Sequence, residues 1–306
     1  MQSPSGPVVR VQVPATSANL GPGFDVLGLA IDIHATVTFT PIERGVRFTG
    51  CDRAYCNASN LAYQAYALVM THLGLPLDGV WVDLRSDIPV ARGLGSSAAL
   101  ILAGVLGANA LAGSPLDQDA CLALAIKLEP HPDNLAAALL GGLVLSGLDN
   151  GRVFAHPFPV HPDLGFLACI PPREVSTEKA RQALPERLSY ADAAFNMAHL
   201  ALALKAFETG DAALIKTAFR DRLHQPYRAH LIPEFDRLQT CVEHHPGCAL
   251  VISGSGSTML ALCSDRNQME SLRTDLGLEC PDLDYRQLRV DRQGARLQAS
   301  GLTRPE

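Results

Sequence analysis

Apolar and polar side chains alternate along two early stretches of the chain. Val9, Val11 and Val13 alternate with Arg10 and Gln12, and the run Val80 to Ser86 repeats the pattern, so each is expected to be a strand with one buried face. The first strand should stop at Pro14, and a second should run from Ile33 to Thr40. Leu61, Ala65, Leu68, Val69 and Leu73 instead fall at helical spacing, behind Ser59 or Asn60 as a cap and ahead of Gly74 as a terminator. An Ala- and Leu-rich helix is expected over Ala98 to Ala112. Another should begin at the Ser114-Pro115-Leu116-Asp117 cap signal and reach Lys127. A helix from Asn134 to Leu140 and a hairpin of Leu143 to Ser146 with Arg152 to Phe158, turning at Asp149 to Gly151, complete the first half.

The stretch 159–163 turns to Pro and His and separates two domains, 1–160 and 161–306. In the second, the pattern predicts strands over Leu164 to Ile170, Ala249 to Ile252, Met259 to Cys263 and Tyr285 to Val290. Helices are expected over Ser176 to Leu184, over Ser189 to Leu223 with a break near Gly210, from Ile232 onward, and over Arg266 to Leu276. These elements would make an open α/β sandwich. Residues 292–306 are polar and expected to be loosely held.

Chemistry concentrates where this pattern is interrupted. The loop Pro89 to Ala99 carries Gly93 and Gly95 between a strand and a helix, where unpaired backbone N–H groups can close around an anion. The same glycines would also serve a plain tight turn. No Lys follows, so the loop is not a Walker A motif, and only an Ala fills the last place of a dinucleotide fingerprint. Of Ser96 and Ser97, one hydroxyl can cap the helix while the other binds phosphate or a magnesium ion. The loop Pro14 to Gly28 is longer than a hairpin requires and offers Asn19 and Asp25, which could equally stabilise turns. Glu129-Pro130-His131-Pro132-Asp133-Asn134 holds three ionisable groups on a turn stiffened by two prolines. Ser253 to Thr258 is a second glycine loop between strands.

Composition narrows the partners. With 306 residues, 47% of them hydrophobic, the chain can bury a sizeable core. A net charge of -6 without a Lys or Arg run argues against nucleic acid and membrane surfaces and for a small molecule. Eight cysteines without a C-x-x-C pair argue against a zinc ribbon or a thioredoxin-type site, and are expected as buried, reduced thiols of a cytoplasmic protein. No secretory signal is expected at the N-terminus, and the apolar run Ala98 to Ala112 is shorter than a membrane span.

In order and spacing, Pro14 to Gly28, Pro89 to Ala99 and Ser253 to Thr258 resemble the three motifs of the GHMP small-molecule kinases. The wording Pro-Ala-Thr-Ser-Ala-Asn-Leu-Gly-Pro-Gly-Phe-Asp, with His131-Pro132-Asp133-Asn134 ahead of Gly141-Gly142, is similar to the homoserine kinases within them. The resemblance covers nearly the whole chain. It implies an α+β GHMP kinase fold, with an N-terminal ribosomal protein S5 domain 2-like domain and a C-terminal ferredoxin-like α/β sandwich. It implies ATP and Mg2+ as cofactors, L-homoserine as substrate, a step of threonine biosynthesis, and leaves a homodimer open.

Carried over by residue, the resemblance assigns the ATP phosphates to Pro89, Val90, Ala91, Arg92, Gly93, Leu94, Gly95, Ser96, Ser97 and Ala98, and the nucleotide base to Asn60. Ser97 and Glu129 would hold the metal. Asn19, Asp25, His131, Asp133, Thr177, Arg181, Arg228 and Gly254 would hold the substrate, with Asp25 meeting its ammonium, the two arginines its carboxylate, and Asn134 or Asp133 its hydroxyl. Ser97, Glu129, Asp133 and Asn134 form the implied catalytic set. Three departures stand out: Pro130 in place of the usual glycine, Ala137 in place of a proline, and Ser257 in place of a proline in the third motif. Of these, Pro130 bears directly on where Glu129 points. The competing readings are a GHMP kinase for mevalonate-type or sugar substrates, and a GHMP-fold ligand sensor that has lost catalysis.

Overall fold

Eleven strands and ten α-helices form two sheets in a computed structural model that describes residues 7–301. In the first sheet, β1 (Val8–Ala18) and β2 (Leu27–Ile42) are long antiparallel neighbours. β1 does not stop at Pro14: a register shift between Pro14 and Ala15 absorbs the residue that lacks an N–H, and the ladder continues. Since β2 also starts earlier than its alternation suggested, the first loop shrinks to residues 19–26.

After β3 (Val46–Thr49), α1 (Leu61–His72) starts at Asn60, whose Oδ1 accepts from the Ala62 and Tyr63 amides. β4 (Gly79–Ser86) pairs with β2 and leads through the glycine loop into α2 (Ser96–Leu111). Neither serine caps α2, because Gly95, with φ 68°, occupies the cap position. α3 (Gln118–Ala125) is capped by Asp117, not Ser114, and α4 (Pro132–Leu140) starts on a proline with His131 at its cap, so Asp133 lies inside its first turn. β5 (Leu143–Asp149) and β6 (Arg152–Phe158) close the first half as a hairpin.

The second sheet has the order β10-β7-β9-β8, antiparallel throughout. β7 (Gly165–Ile170) is followed by α5 (Thr177–Gln182), α6 (Tyr190–Thr209), α7 (Ala212–Ala218), α8 (Gln225–Arg228) and α9 (Phe235–Glu243). β8 (Cys248–Ile252) and β9 (Met259–Cys263) precede α10 (Arg266–Glu279) and β10 (Asp284–Leu288). This strand order, with one helix between β9 and β10, is the ferredoxin-like arrangement. The helical stretch ends at Ala218 instead of Leu223, releasing the segment that enters α8.

The expectation of a loose tail is overturned. β11 (Arg296–Ser300) returns to the first sheet and pairs with the outer edge of β1, covering that edge. The Asp291 carboxylate anchors the approach by accepting from the Gln293 and Gly294 amides and by pairing with Arg296. The rest of the tail expectation, residues 302–306, falls outside the described residues.

Both faces of the second sheet are buried. One face, with Phe166, Leu260 and Leu262, joins the core formed by β1, β2, β4, α1, α2 and α4; the other, with Leu167, Leu250 and Met259, packs against Leu238 and Val242 of α9 and Leu272 and Leu276 of α10. The cysteines depart from a uniform set of buried thiols. Cys248 and Cys263 stand opposite each other on β8 and β9, with Cα atoms 4.2 Å apart, and form a disulfide. Cys51, Cys56 and Cys241 are partly exposed. Among the described residues, no helix is long and apolar enough to cross a membrane.

Glycines let α1 lie tightly on α2. A Cβ on Gly104 would meet the Ala62 carbonyl oxygen at 2.1 Å and Ala65 Cβ at 2.7 Å. Gly→Ala inside a helix ordinarily stabilises by about 1 kcal/mol. Here the sign should reverse: Gly104→Ala is expected to cost roughly 1–3 kcal/mol through overpacking, read as a lower urea midpoint. A midpoint raised by the substitution would show that the helix contact can yield.

Candidate active site

The end of β1 and the two glycine loops meet backbone to backbone at the junction of the two sheets. The Thr16 amide donates to Leu94 O at 3.1 Å, the Gly254 amide to Ala18 O at 3.0 Å, and the Thr258 amide to Arg92 O at 3.0 Å. Side chains add to the seam: Ser253 Oγ donates to Gly93 O at 2.7 Å and Asn19 Nδ2 to Gly254 O at 2.7 Å. Gly93 is needed here, since its φ is 76° and a Cβ would sit 2.2 Å from Ser253 O. The junction walls one side of a cleft of about 380 Å³ that runs from the glycine loop to the turn before α4 and the start of α5.

On the glycine-loop side, the first amide to find an intrahelical acceptor is that of Ala99, which donates to Gly95 O. The amides of Ser96, Ser97 and Ala98 precede it and lack such a partner, an arrangement that suits phosphate oxygens. Ser97 and Glu129 both line the cleft, so Pro130 does not turn the acid away from it. Burial pushes the Glu129 carboxyl above its usual range, and the Ser97 hydroxyl partly offsets this by hydrogen bonding. Arg92 lines the cleft but is committed elsewhere: its guanidinium donates to the carbonyls of Val90, Pro171 and Pro172 and pairs with Glu174 at 3.2 Å. It ties the loop to the segment after β7.

The opposite side is charged in pairs. Arg181, from α5, grips Asp25 with two hydrogen bonds of 2.6 and 2.9 Å. Asp25 has φ 60°, and its amide donates to Asn19 Oδ1 at 3.0 Å, so Asn19 fixes the acid's direction. Arg228 is buried; its guanidinium lies 5.2 Å from the centroid of the Phe24 ring and donates to Ala180 O and Gly254 O, while Arg181 lies 5.4 Å from the same ring. Burial, reinforced by Arg181, lowers the Arg228 pKa to about 10. Burial and then Arg181 likewise lower that of His131.

Asp133 is buried, and its Oδ1 accepts from the Asn134 amide at 2.7 Å; burial raises its pKa to about 7, against that hydrogen bond. Asn134 is oriented by Thr16, whose Oγ1 donates to its Oδ1 at 2.7 Å.

The cleft therefore gathers Asn19, Asp25, Pro89, Ala91 to Ser97, Glu129, His131, Asp133, Asn134, Thr177, Arg181, Arg228 and Gly254. It does not gather Val90, Ala98 or Asn60. Asn60 is buried, with its oxygen spent on capping α1 and its Nδ2 donating to Tyr55 O at 3.1 Å. Thr16, Phe24 and Ser255 went unremarked in the sequence, although all three stand inside the quoted glycine-rich motifs. Asp221 and Gln225 had no local signal. Asp221 accepts from the amides of Leu223, His224 and Gln225, while Gln225 Oε1 accepts from the Ile252 amide, and together they fix the short helix that carries Arg228.

Residues 60–142 match the model of the GHMP kinases N terminal domain, and residues 203–282 that of the GHMP kinases C terminal. The chain is 39% identical over 289 residues to a homoserine kinase of Clostridium botulinum, covering 94% of this chain and 97% of that protein. It is 40% identical over 299 residues to a homoserine kinase of Nostoc punctiforme, with the same coverage. The crystal structure of homoserine kinase from Cytophaga hutchinsonii superposes with a TM-score of 0.85 at 29% identity, covering 97% of this chain and 99% of that one. A mevalonate kinase structure superposes with a TM-score of 0.70 at 14% identity, over 93% of this chain and 99% of that one, a likeness of fold.

Asp133 yields a pH prediction. Its carboxyl holds its proton more tightly folded than unfolded, so its contribution to stability is complete below the ordinary value of 3.8 and is lost as pH rises toward about 7. Asp133→Asn cannot titrate. Wild-type stability should therefore fall relative to this variant by roughly 3–5 kcal/mol between about pH 4 and pH 7, measured from urea midpoints. Parallel pH profiles for the two proteins would mean an unperturbed carboxyl.

Proposed function

The chain belongs to the GHMP kinases, and we propose from that premise that it transfers the γ-phosphoryl group of ATP directly to the side-chain hydroxyl of L-homoserine, a step of threonine biosynthesis. The observation that carries the substrate reading is the Asp25–Arg181 pair beside Arg228. Homoserine is a zwitterion. Its ammonium finds a carboxylate in Asp25 and its carboxylate finds guanidinium groups in Arg181 and Arg228, so bound substrate replaces one ion pair with two. Mevalonate has no ammonium and would leave Asp25 without a new partner. The intact set of Ser97, Glu129 and Asp133 supports a catalyst over a sensor.

The amides at the start of α2 hold the phosphates, since the Arg92 guanidinium is bound to the carbonyls of Val90, Pro171 and Pro172. Ser97 and Glu129 fit Mg2+ by chemistry: both offer hard oxygen donors, and Glu129 is a carboxyl raised by burial that no cationic side chain among the described residues pairs with. When bound, the ion neutralises charge developing on the transferring group. Asn134, fixed by Thr16, orients the attacking hydroxyl, and Asp133 lies beside it to receive a proton. A loose transition state asks more of this positioning than of a strong base.

A coupled ADP-release assay over homoserine, mevalonate and galactose tests the assignment. Turnover is expected with homoserine alone, and absence of turnover with it would overturn the proposal. Arg228→Ala should raise the KM for homoserine about 10- to 100-fold, the loss of a charge-assisted hydrogen bond, and leave the KM for ATP nearly unchanged. Equal effects on both would mean that Arg228 does not read the substrate carboxylate.

A further inference from the structure

Away from the cleft, the connection from β3 to α1 brings two thiols together. Gly50, with φ 77°, turns the chain out of β3, and its Cβ position is closed by Leu84 O at 2.0 Å. Asp52 then caps a 3-10 turn over Arg53–Tyr55 by accepting from the Ala54 amide at 3.0 Å. The turn folds Cys56 back onto Cys51, and their Sγ atoms lie 3.2 Å apart. Both side chains are partly exposed, within reach of a small reagent. A disulfide bond of about 2.05 Å asks the two sulfurs to close by only about 1 Å, within the reach of a side-chain rotation on an exposed turn.

We propose that Cys51 and Cys56 are a redox-modification site, a dithiol that exchanges with a low-molecular-weight disulfide to give an intrachain Cys51–Cys56 bond. The thiolate of Cys56 attacks one sulfur of the reagent, whose S–S bond breaks and releases one thiol. The thiolate of Cys51 then attacks Sγ of Cys56 in the mixed disulfide and releases the second thiol. The protein dithiol loses two electrons and two protons, and the reagent disulfide gains them.

The order of attack follows from the surroundings. Burial, reinforced by the Cys56 thiol, pushes the Cys51 thiol up to about 11, which leaves it the resolving partner. Other thiols compete poorly: Cys121 and Cys169 are buried, with pKa values raised by that burial, and Cys248 and Cys263 are already bonded.

The bond would staple the segment that caps α1. Tyr55, inside the closed ring, supplies the carbonyl that accepts from Asn60 Nδ2, and Asn60 in turn receives the Ala62 and Tyr63 amides. Oxidation should slow hydrogen exchange at those two amides.

The test treats the whole protein with oxidised glutathione, blocks the remaining thiols and digests with trypsin without reduction. Arg53 lies between the two cysteines, so cleavage there gives two peptides joined only by the new bond. Wild type should lose two titratable thiols, yield the joined peptides, and release them on adding dithiothreitol. Cys51→Ser should stop at a glutathione adduct on Cys56. A wild-type protein that accumulates that same adduct without the joined peptides, or that keeps both thiols free while Cys241 reacts, would overturn the proposal.

Discussion

Gly93 lies so close to the Ser253 carbonyl that no side chain fits between them, and the site depends on that contact. The Pro89 to Ala99 loop belongs to the first sheet and the Ser253 to Thr258 loop to the second. Only a glycine in a left-handed conformation lets the two backbones approach closely enough for the Ser253–Gly93 and Thr258–Arg92 hydrogen bonds to form. Gly254 then accepts from both Asn19 and Arg228, so one carbonyl joins the first loop to the buried guanidinium. The glycine-loop side and the Asp25–Arg181 side of the cleft thus share a single seam. A shift of either sheet would move both halves together.

Charge within the cleft is arranged with little surplus. Arg92 spends its guanidinium on carbonyls and Glu174, Arg181 holds Asp25, and His224 is kept neutral, its pKa pushed down to about 4 by burial. His224 stacks on Phe24 and donates to Gly21 O, so the ring that underlies both arginines is itself fixed from below. A ligand bearing only a carboxylate would compete with Asp25 for Arg181 and leave that acid unpaired in a partly dry site. A zwitterion avoids this cost, because it answers both members of the pair at once. On the proposed reading, selectivity for an amino acid would follow from the pair more than from either residue alone.

The parts of this architecture that were legible in the sequence are those set by local rules. The glycine loops, the helix expected behind Ser59 or Asn60, and the short apolar runs of the second-half strands each follow from backbone freedom, capping or hydrophobicity, which neighbouring residues determine. What was not legible depends on distant partners. Arg296 to Ser300 read as a loose polar tail because an edge strand facing solvent on one side carries little hydrophobic signal; its order comes from the open edge of β1. Pro14 read as a strand end because a bulge that absorbs it is a property of the paired strand. Arg92 read as a phosphate ligand by its place in the loop, while its partners sit after β7. The Cys248–Cys263 bond needed the register of β8 on β9.

Pro130 raises the sharpest physical question in the site, since it replaces the glycine expected beside Glu129, which lines the cleft. The turn answers it through α3. The Leu128 and Glu129 amides both donate to Ala125 O, so Glu129 still belongs to the frayed last turn of that helix, and its direction is set before the chain reaches the proline. Pro130 has no amide to satisfy, and Pro132 starts α4 with φ already suited to a helix. Between the two, His131 takes an extended conformation, φ -103° and ψ 117°, which carries the chain from one helix to the next. A glycine would reach the same path with more freedom in the unfolded chain. The proline reaches it with less to lose on folding, and Glu129 still lines the cleft with Ser97.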